Sequence, residues 1–199
     1  EIMNDIDTAG VTIHLISPTI DGGKILYNKT KKINEKRPTI DLMNSINMGL
    51  SITLLKQLVS DLKARKEIVE HNQDNDQSIY MPQFNTELNG VIDWNWTSCE
   101  IDRFIRAFGP PMPGAFTFYK NKKISLLESK VEKTNHRYHP YFYGRIVTLK
   151  NDGSMRIITK NDYLIINRIQ YEQFDGLPIE IIQMNSNAVL FTPIDILEK

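Results

Sequence analysis

Hydrophobic positions along the chain fall into three kinds of run. Val11-Thr-Ile-His-Leu-Ile16 is rich in β-formers, and a second apolar run at Ile25-Leu26-Tyr27 follows the turn signal Asp21-Gly22-Gly23. Two strands joined by a short loop is the simplest reading of that stretch. At Arg37-Pro38-Thr39 the period changes. Thr39 can cap a helix with Asp41 in its first turn, where a negative charge suits the dipole. Ile40, Met43, Asn47, Leu50, Leu54, Leu55, Leu58 and Leu62 recur at helical spacing, which predicts one buried face. Lys63, Arg65 and Lys66 suit the C-terminal end.

From Glu67 to Gly90 the chain is polar and Asn/Gln-rich without periodicity, the pattern of a linker between two domains. Thr97-Ser-Cys-Glu100 then fits a capping box, and Ile101, Phe104, Ile105 and Phe108 form the apolar face of the helix it opens. Gly109-Pro110-Pro111 stops that helix. Beyond it come short β runs at Ala115–Tyr119, Ile124–Leu127, Arg145–Leu149, Met155–Thr159 and Leu164–Ile169, separated by turns at Asn121, Asn151-Asp152-Gly153 and Asn161-Asp162. Short strands at roughly 8–12-residue spacing predict a small β-barrel or sandwich. Ala188–Phe191 is a candidate last strand.

Composition narrows the function. Lys+Arg and Asp+Glu are 24 each, a formal net charge of +0, where a nucleic-acid binder normally carries a basic excess. The single Cys99 can form no internal disulfide, which points to a reducing cytoplasm. No apolar run approaches the roughly 20 residues that a membrane span needs, so no membrane partner is expected.

Three segments carry a resemblance. Gly10-Val-Thr-Ile-His14, followed by Asp21-Gly-Gly-Lys-Ile25, is similar to the Gly-Val-Thr-x-His … Asp-x-Gly-x-Ile signature of the formyltetrahydrofolate-dependent formyltransferases. Ile92-Asp93-Trp94, with Glu100-Ile101 and Ile105-Arg106-Ala107, resembles the segment leading into that family's C-terminal domain, and Pro113-Gly114-Ala115-Phe116 with Lys122-Lys123-Ile124 continues it. The family includes methionyl-tRNA formyltransferase and enzymes that formylate nucleotide-linked amino sugars. The resemblance implies an α/β fold: residues 1–84 as the C-terminal part of a doubly wound catalytic domain, a linker to about 91, and residues 92–199 as a small oligonucleotide-binding-like β-barrel.

It also implies a site. The family moves a formyl group from N10-formyltetrahydrofolate to a primary amine, using an Asn, a His two residues later and an Asp. Asp21 matches the Asp, whose implied role is to hold the imidazole and a water in place and to favour the charged ring. Ser17, Pro18, Thr19, Ile20 and Asp21 occupy the position of the pterin-binding loop, where backbone groups make the contacts, and His14 matches a supporting position. No metal is implied. The Asn-x-His pair belongs upstream of Glu1, so the chain as it stands is expected to lack activity, and a non-catalytic fragment or binding module is the alternative reading from another class. The expected partners are the folate and a small amine, with a nucleotide-linked amino sugar favoured over tRNA by the neutral charge.

Each residue also has a plainer reading. Asp-Gly-Gly is by itself a common turn, and His14 between strand residues reads equally as a packed histidine. Trp94, Trp96 and Phe108 are expected in the core rather than on a stacking platform. His136 and His139 lack a third metal ligand and read as loop, and Lys120, Lys122 and Lys123 as the decoration of a hairpin turn.

Overall fold

The computed structural model describes residues 1–74, 76, 85–182 and 188–197. The chain divides into two units. One comprises Glu1 with Ile6–Gln83, and the other comprises Ile2–Asp5 with residues 84–199.

In the first unit, β1 (Thr8–His14) and β2 (Ile25–Lys32) form an antiparallel hairpin in register from Thr8↔Lys32 to Ile13↔Tyr27. The register then slips, so that His14 faces Ile25. A slip of this kind bends the strand and re-aims the next side chain. The helix α1 (Ile40–Lys63) starts at Thr39, whose hydroxyl accepts from the Leu42 amide. It packs against both strands through Met43, Leu50 and Leu54. Near its far end the buried Asp61 carboxylate accepts from the Tyr27 hydroxyl (3.0 Å), the Gln57 amide (2.7 Å) and the Lys66 ammonium (2.9 Å). Those hydrogen bonds, Gln57 first, hold its pKa down at about 2. A depressed carboxylate contributes stability that is complete above its ordinary range and is lost as pH falls toward about 2.

The buried face of α1 is narrower than its spacing predicts. Leu55 and Leu62 are 53% and 58% exposed and lie, with Met48, Ile52 and Val59, on a second apolar stripe. Leu54 and Leu55 are about 100° apart around the helix, so one two-stranded hairpin cannot cover both.

The second unit is built on an antiparallel sheet. Its strands are β3 (Ala115–Tyr119), β4 (Lys122–Glu132), β5 (Ile146–Leu149), β6 (Met155–Ile158), β7 (Tyr163–Tyr171), β8 (Phe174–Gly176) and β9 (Leu190–Phe191). They run in the order β5-β6-β7-β4-β3-β9, with β8 on β7. Between β3 and β4, Lys120 and Asn121 both take positive φ (47° and 64°), the two-residue turn whose twist suits a hairpin. The sheet curls until its ends meet. The Ile146 amide donates to Ala188 O, and the Leu190 amide to Gly144 O, both at 2.9 Å. Only Leu190 and Phe191 of the expected last strand enter the ladder, although Val189 bridges Arg145.

A short helix, α2 (Thr86–Asn89), precedes a bridge in which Val91 pairs with Phe116. The helix α3 (Ser98–Phe108) follows, opened by the expected capping box: the Thr97 amide donates to Glu100 Oε2 at 2.7 Å, and the Glu100 amide to Thr97 Oγ1 at 3.3 Å. Ile101, Ile105 and Phe108 pack into a core with Ile124, Leu126, Met155, Leu164 and Ile166. Trp94 is buried with its indole N–H donated to Thr117 Oγ1 at 3.0 Å, and the half-buried Trp96 meets Phe104 edge-on, so these aromatics pack in or against the core. A last helical turn, α4 (Ile194–Leu197), ends the described chain.

The barrel seam depends on Gly144. Its φ is +81°, and a Cβ there would lie 2.2 Å from Leu190 O and 3.2 Å from the Trp94 ring. We expect Gly144→Ala to destabilise the second unit by at least ~2 kcal/mol, through positive-φ strain plus a displaced seam. Thermal or urea unfolding monitored by tryptophan fluorescence checks this, and an unchanged transition would show that the seam tolerates a side chain at this position.

Candidate functional site

The hairpin loop between β1 and β2 collects the expected site residues in the first unit. Ser17, Pro18, Thr19, Ile20 and Asp21 lie on it, and His14 closes the strand that leads in. The slip between Ile13 and His14 brings the imidazole to the loop: Nδ1 lies 2.9 Å from Leu15 O and Nε2 lies 3.6 Å from Asp21 Oδ1. With Nδ1–H donated to that carbonyl, a neutral ring turns a lone pair toward the carboxylate, and only a protonated ring turns a proton toward it. At 3.6 Å the pair is an electrostatic contact rather than a hydrogen bond.

Three features fix the loop. Ser17 Oγ donates to Thr19 O at 2.8 Å, and the Gly22 amide donates to the same carbonyl at 3.3 Å. Gly23 is where the chain returns to β2, and a Cβ there would lie 1.6 Å from Leu15 O. The Leu15 amide meanwhile donates to Lys24 O at 2.9 Å, so the two sides of the loop touch backbone to backbone. The second glycine of Asp21-Gly22-Gly23 is therefore a steric requirement.

The third feature comes from the polar stretch read in sequence as linker. His71 exchanges both backbone hydrogen bonds with Ile25, at 2.8 and 2.9 Å, and Lys24 pairs with Glu70 at 2.9 Å. Gln73 then places its side-chain amide against Asp21 O and Gly23 O, both at 2.6 Å. Residues 70–73 are thus part of the hairpin rather than connector; residues 75 and 77–84 of the same stretch lie outside the described residues. Sequence reasoning missed Gln73 because a side chain bonding to carbonyls 50 and 52 residues away leaves no periodicity.

The loop's outward face is unusual. Ile16 and Ile20 are 99% and 96% exposed beside the exposed Asp21 carboxylate. Asp21 holds φ +52°, a left-handed conformation that Asp adopts more readily than most non-glycine residues. Other turn carboxylates in this chain bond local amides: Asp93 accepts from the Asn95 amide, and Asp152 from the Ser154 amide. Among the hydrogen bonds of the described residues, none runs from a loop amide to the Asp21 carboxylate. His139, one of the two candidate metal ligands of the second unit, is structural by contrast, since its Nδ1 accepts from the Tyr141 amide and caps a 3-10 turn. No group of three or more His, Cys, Asp or Glu among the described residues is placed to hold a metal, and no described helix is long and apolar enough to cross a membrane.

Residues 86–183 match the family model described as formyl transferase, C-terminal domain. Over 172 residues the chain is 33% identical to the bifunctional polymyxin resistance protein ArnA of Wigglesworthia glossinidia brevipalpis, covering 86% of this chain and 25% of that protein. It is 27% identical over 179 residues to the methionyl-tRNA formyltransferase of Clostridium beijerinckii, covering 90% and 55%. In fold it is similar to a variant of HypX from Aquifex aeolicus, with TM-score 0.65 and 16% identity over 90% of this chain and 31% of that one. It is also similar to the N-formyltransferase from Helicobacter canadensis in complex with folinic acid and dTDP-3-aminofucose, with TM-score 0.58 and 22% identity over 83% and 57%. The chain therefore spans from a quarter to just over half the length of these curated relatives.

If Gln73 clamps the loop, Gln73→Ala frees two carbonyls and loosens residues 21–24. Hydrogen exchange of the Gly22, Gly23 and Lys24 amides is expected to speed up by about tenfold while β1 and β2 stay protected. Unchanged exchange in the loop would contradict the clamp.

Proposed function

This chain belongs to the formyl transferases through its C-terminal domain, and on that footing we propose that it works in formyl transfer from N10-formyltetrahydrofolate to a primary amine. In this reading residues 1–84 are the closing part of a doubly wound catalytic domain, followed by a linker to about 91. Residues 92–199 are then an oligonucleotide-binding-like barrel, in keeping with the curled sheet and its seam. The reaction takes place in the cytoplasm, in keeping with the lone, unpaired Cys99.

The observation that carries the site assignment is the state of Asp21. It sits at positive φ on a loop pinned by Gln73 and Gly23, yet its carboxylate bonds none of the loop's amides and points to solvent. The turn is thus made without the carboxylate, which leaves that group available to a partner outside the loop. The amine attacks the formyl carbon, a tetrahedral intermediate forms, and the C–N10 bond breaks as the amine's proton passes to N10. Asp21 orients the imidazole and the water that carry that proton, and stabilises the ring when charged. Ser17–Asp21 hold the pterin through backbone groups, with Ile16 and Ile20 offering it an apolar edge and His14 supporting Asp21. The family resemblance assigns the oxyanion donor and the proton shuttle to an Asn-x-His pair, and no such pair occurs in these 199 residues. We therefore take this chain alone to be inactive.

For the acceptor we favour a nucleotide-linked amino sugar. The zero formal charge argues for a small amine over a large polyanion. The likeness to methionyl-tRNA formyltransferases supports methionyl-tRNA as a second reading.

The decisive variant is Asp21→Asn in an enzyme that also carries the upstream Asn-x-His. Asn keeps the shape and the turn propensity but removes the charge. Turnover is expected to fall by ~10² or more while folate affinity changes little. Normal turnover with intact binding would return Asp21 to the role of a turn residue, and comparing an amino-sugar nucleotide with methionyl-tRNA in the same assay decides the acceptor.

A further inference from the structure

A second concave site lies in the barrel unit, where the loop after β4 meets the turn between β6 and β7. It encloses about 450 Å³, and among its lining residues are Arg137, Lys160 and His136 together with the polar side chains of Thr134, Asn135 and Asn161. Among the described residues no carboxylate lines it. We infer that this cleft binds a phosphate-bearing small molecule through Arg137 and Lys160.

The charge around it favours an anion. Arg137 and Lys160 form no ion pair among the described residues, whereas Arg103, Arg106, Arg156 and Arg168 of the same unit are each paired with a carboxylate. Two acidic residues lie close by, and both are occupied. The Glu100 carboxylate accepts from the Thr97 amide and hydroxyl, at 2.7 and 2.6 Å, and feels Lys160 only at longer range. The buried Asp162 carboxylate accepts from Lys133 (2.9 Å), the Thr134 amide (3.2 Å) and the Ser98 hydroxyl (3.4 Å). The cleft thus keeps two positive charges with no ion-pair partner among the described residues, Lys160 meeting the Glu100 charge only at longer range.

The walls are also fixed before any ligand arrives. Asp162 ties down Thr134, Thr134 Oγ1 accepts from the His136 amide at 3.1 Å, and Asn161 Oδ1 accepts from the Ser98 amide at 3.0 Å. An anion arriving here meets an Arg fork, a Lys point charge and a ring of polar side chains, the donor set that suits a phosphate oxygen cluster. The volume falls in the range of small-ligand pockets. The pairing of Arg137 with Lys160 in one cleft favours a small phosphorylated molecule over an RNA backbone.

The test is calorimetric titration of the 199-residue chain with inorganic pyrophosphate, beside a single-stranded RNA oligomer. Pyrophosphate is expected to bind once per chain, and the double variant R137A/K160A to weaken it by about tenfold or more. The charge-matched variant K122A/K123A should leave the affinity unchanged. All four side chains are exposed, and thermal unfolding of each variant verifies that the barrel is intact. Absence of pyrophosphate binding, equal weakening by the two double variants, or RNA binding that pyrophosphate does not compete for would each overturn the inference.

Discussion

Both units depend on places where backbone meets backbone with no room for a Cβ. In the hairpin unit the return from the loop passes so close to Leu15 that a side chain at Gly23 would lie 1.6 Å from its carbonyl. In the barrel unit the seam that joins the two ends of the curled sheet needs the same absence at Gly144. Gly23 sets the path of residues 15–24, and through it the presentation of Asp21. Gly144 lets the residues before β5 pair with those around β9, so that the sheet curls around one core. A close approach of this kind offers few alternative geometries, because packed backbone does not relax as a long side chain does.

Much of the fold was legible because it is written in local chemistry. Thr39 and Thr97 announce their helices through hydroxyl caps, and the pairing of Thr97 with Glu100 is formed by neighbours in sequence. The strands of the barrel show as short β-rich runs between turn residues, and the Lys120–Asn121 turn lies where Asn121 marked it. What the sequence hid was non-local. The second apolar stripe on α1 could not be told from the first, because period alone does not say how many partners a helix has. Gln73 lay in a tract whose composition reads as linker, and its bonds to Asp21 and Gly23 exist only once the chain has folded back.

The candidate site shows a related division. Asp-Gly-Gly suggests a turn, and the structure confirms the turn without using the aspartate's side chain to make it. That separation distinguishes Asp21 from Asp93 and Asp152, which bond amides in their own turns. The register slip at His14 adds the second component, since a regular strand would not have aimed the imidazole at the loop. A left-handed aspartate and two almost fully exposed isoleucines share one short loop, with a slipped histidine at its entry.

The most direct test of the pterin-loop assignment is hydrogen exchange of an intact enzyme containing this sequence, with and without 5-formyltetrahydrofolate. If the loop holds the pterin through its backbone, amides from Ser17 to Gly23 gain protection on folate binding, and those of the barrel unit do not change. Protection that appears elsewhere while this loop exchanges at its free rate would contradict the assignment.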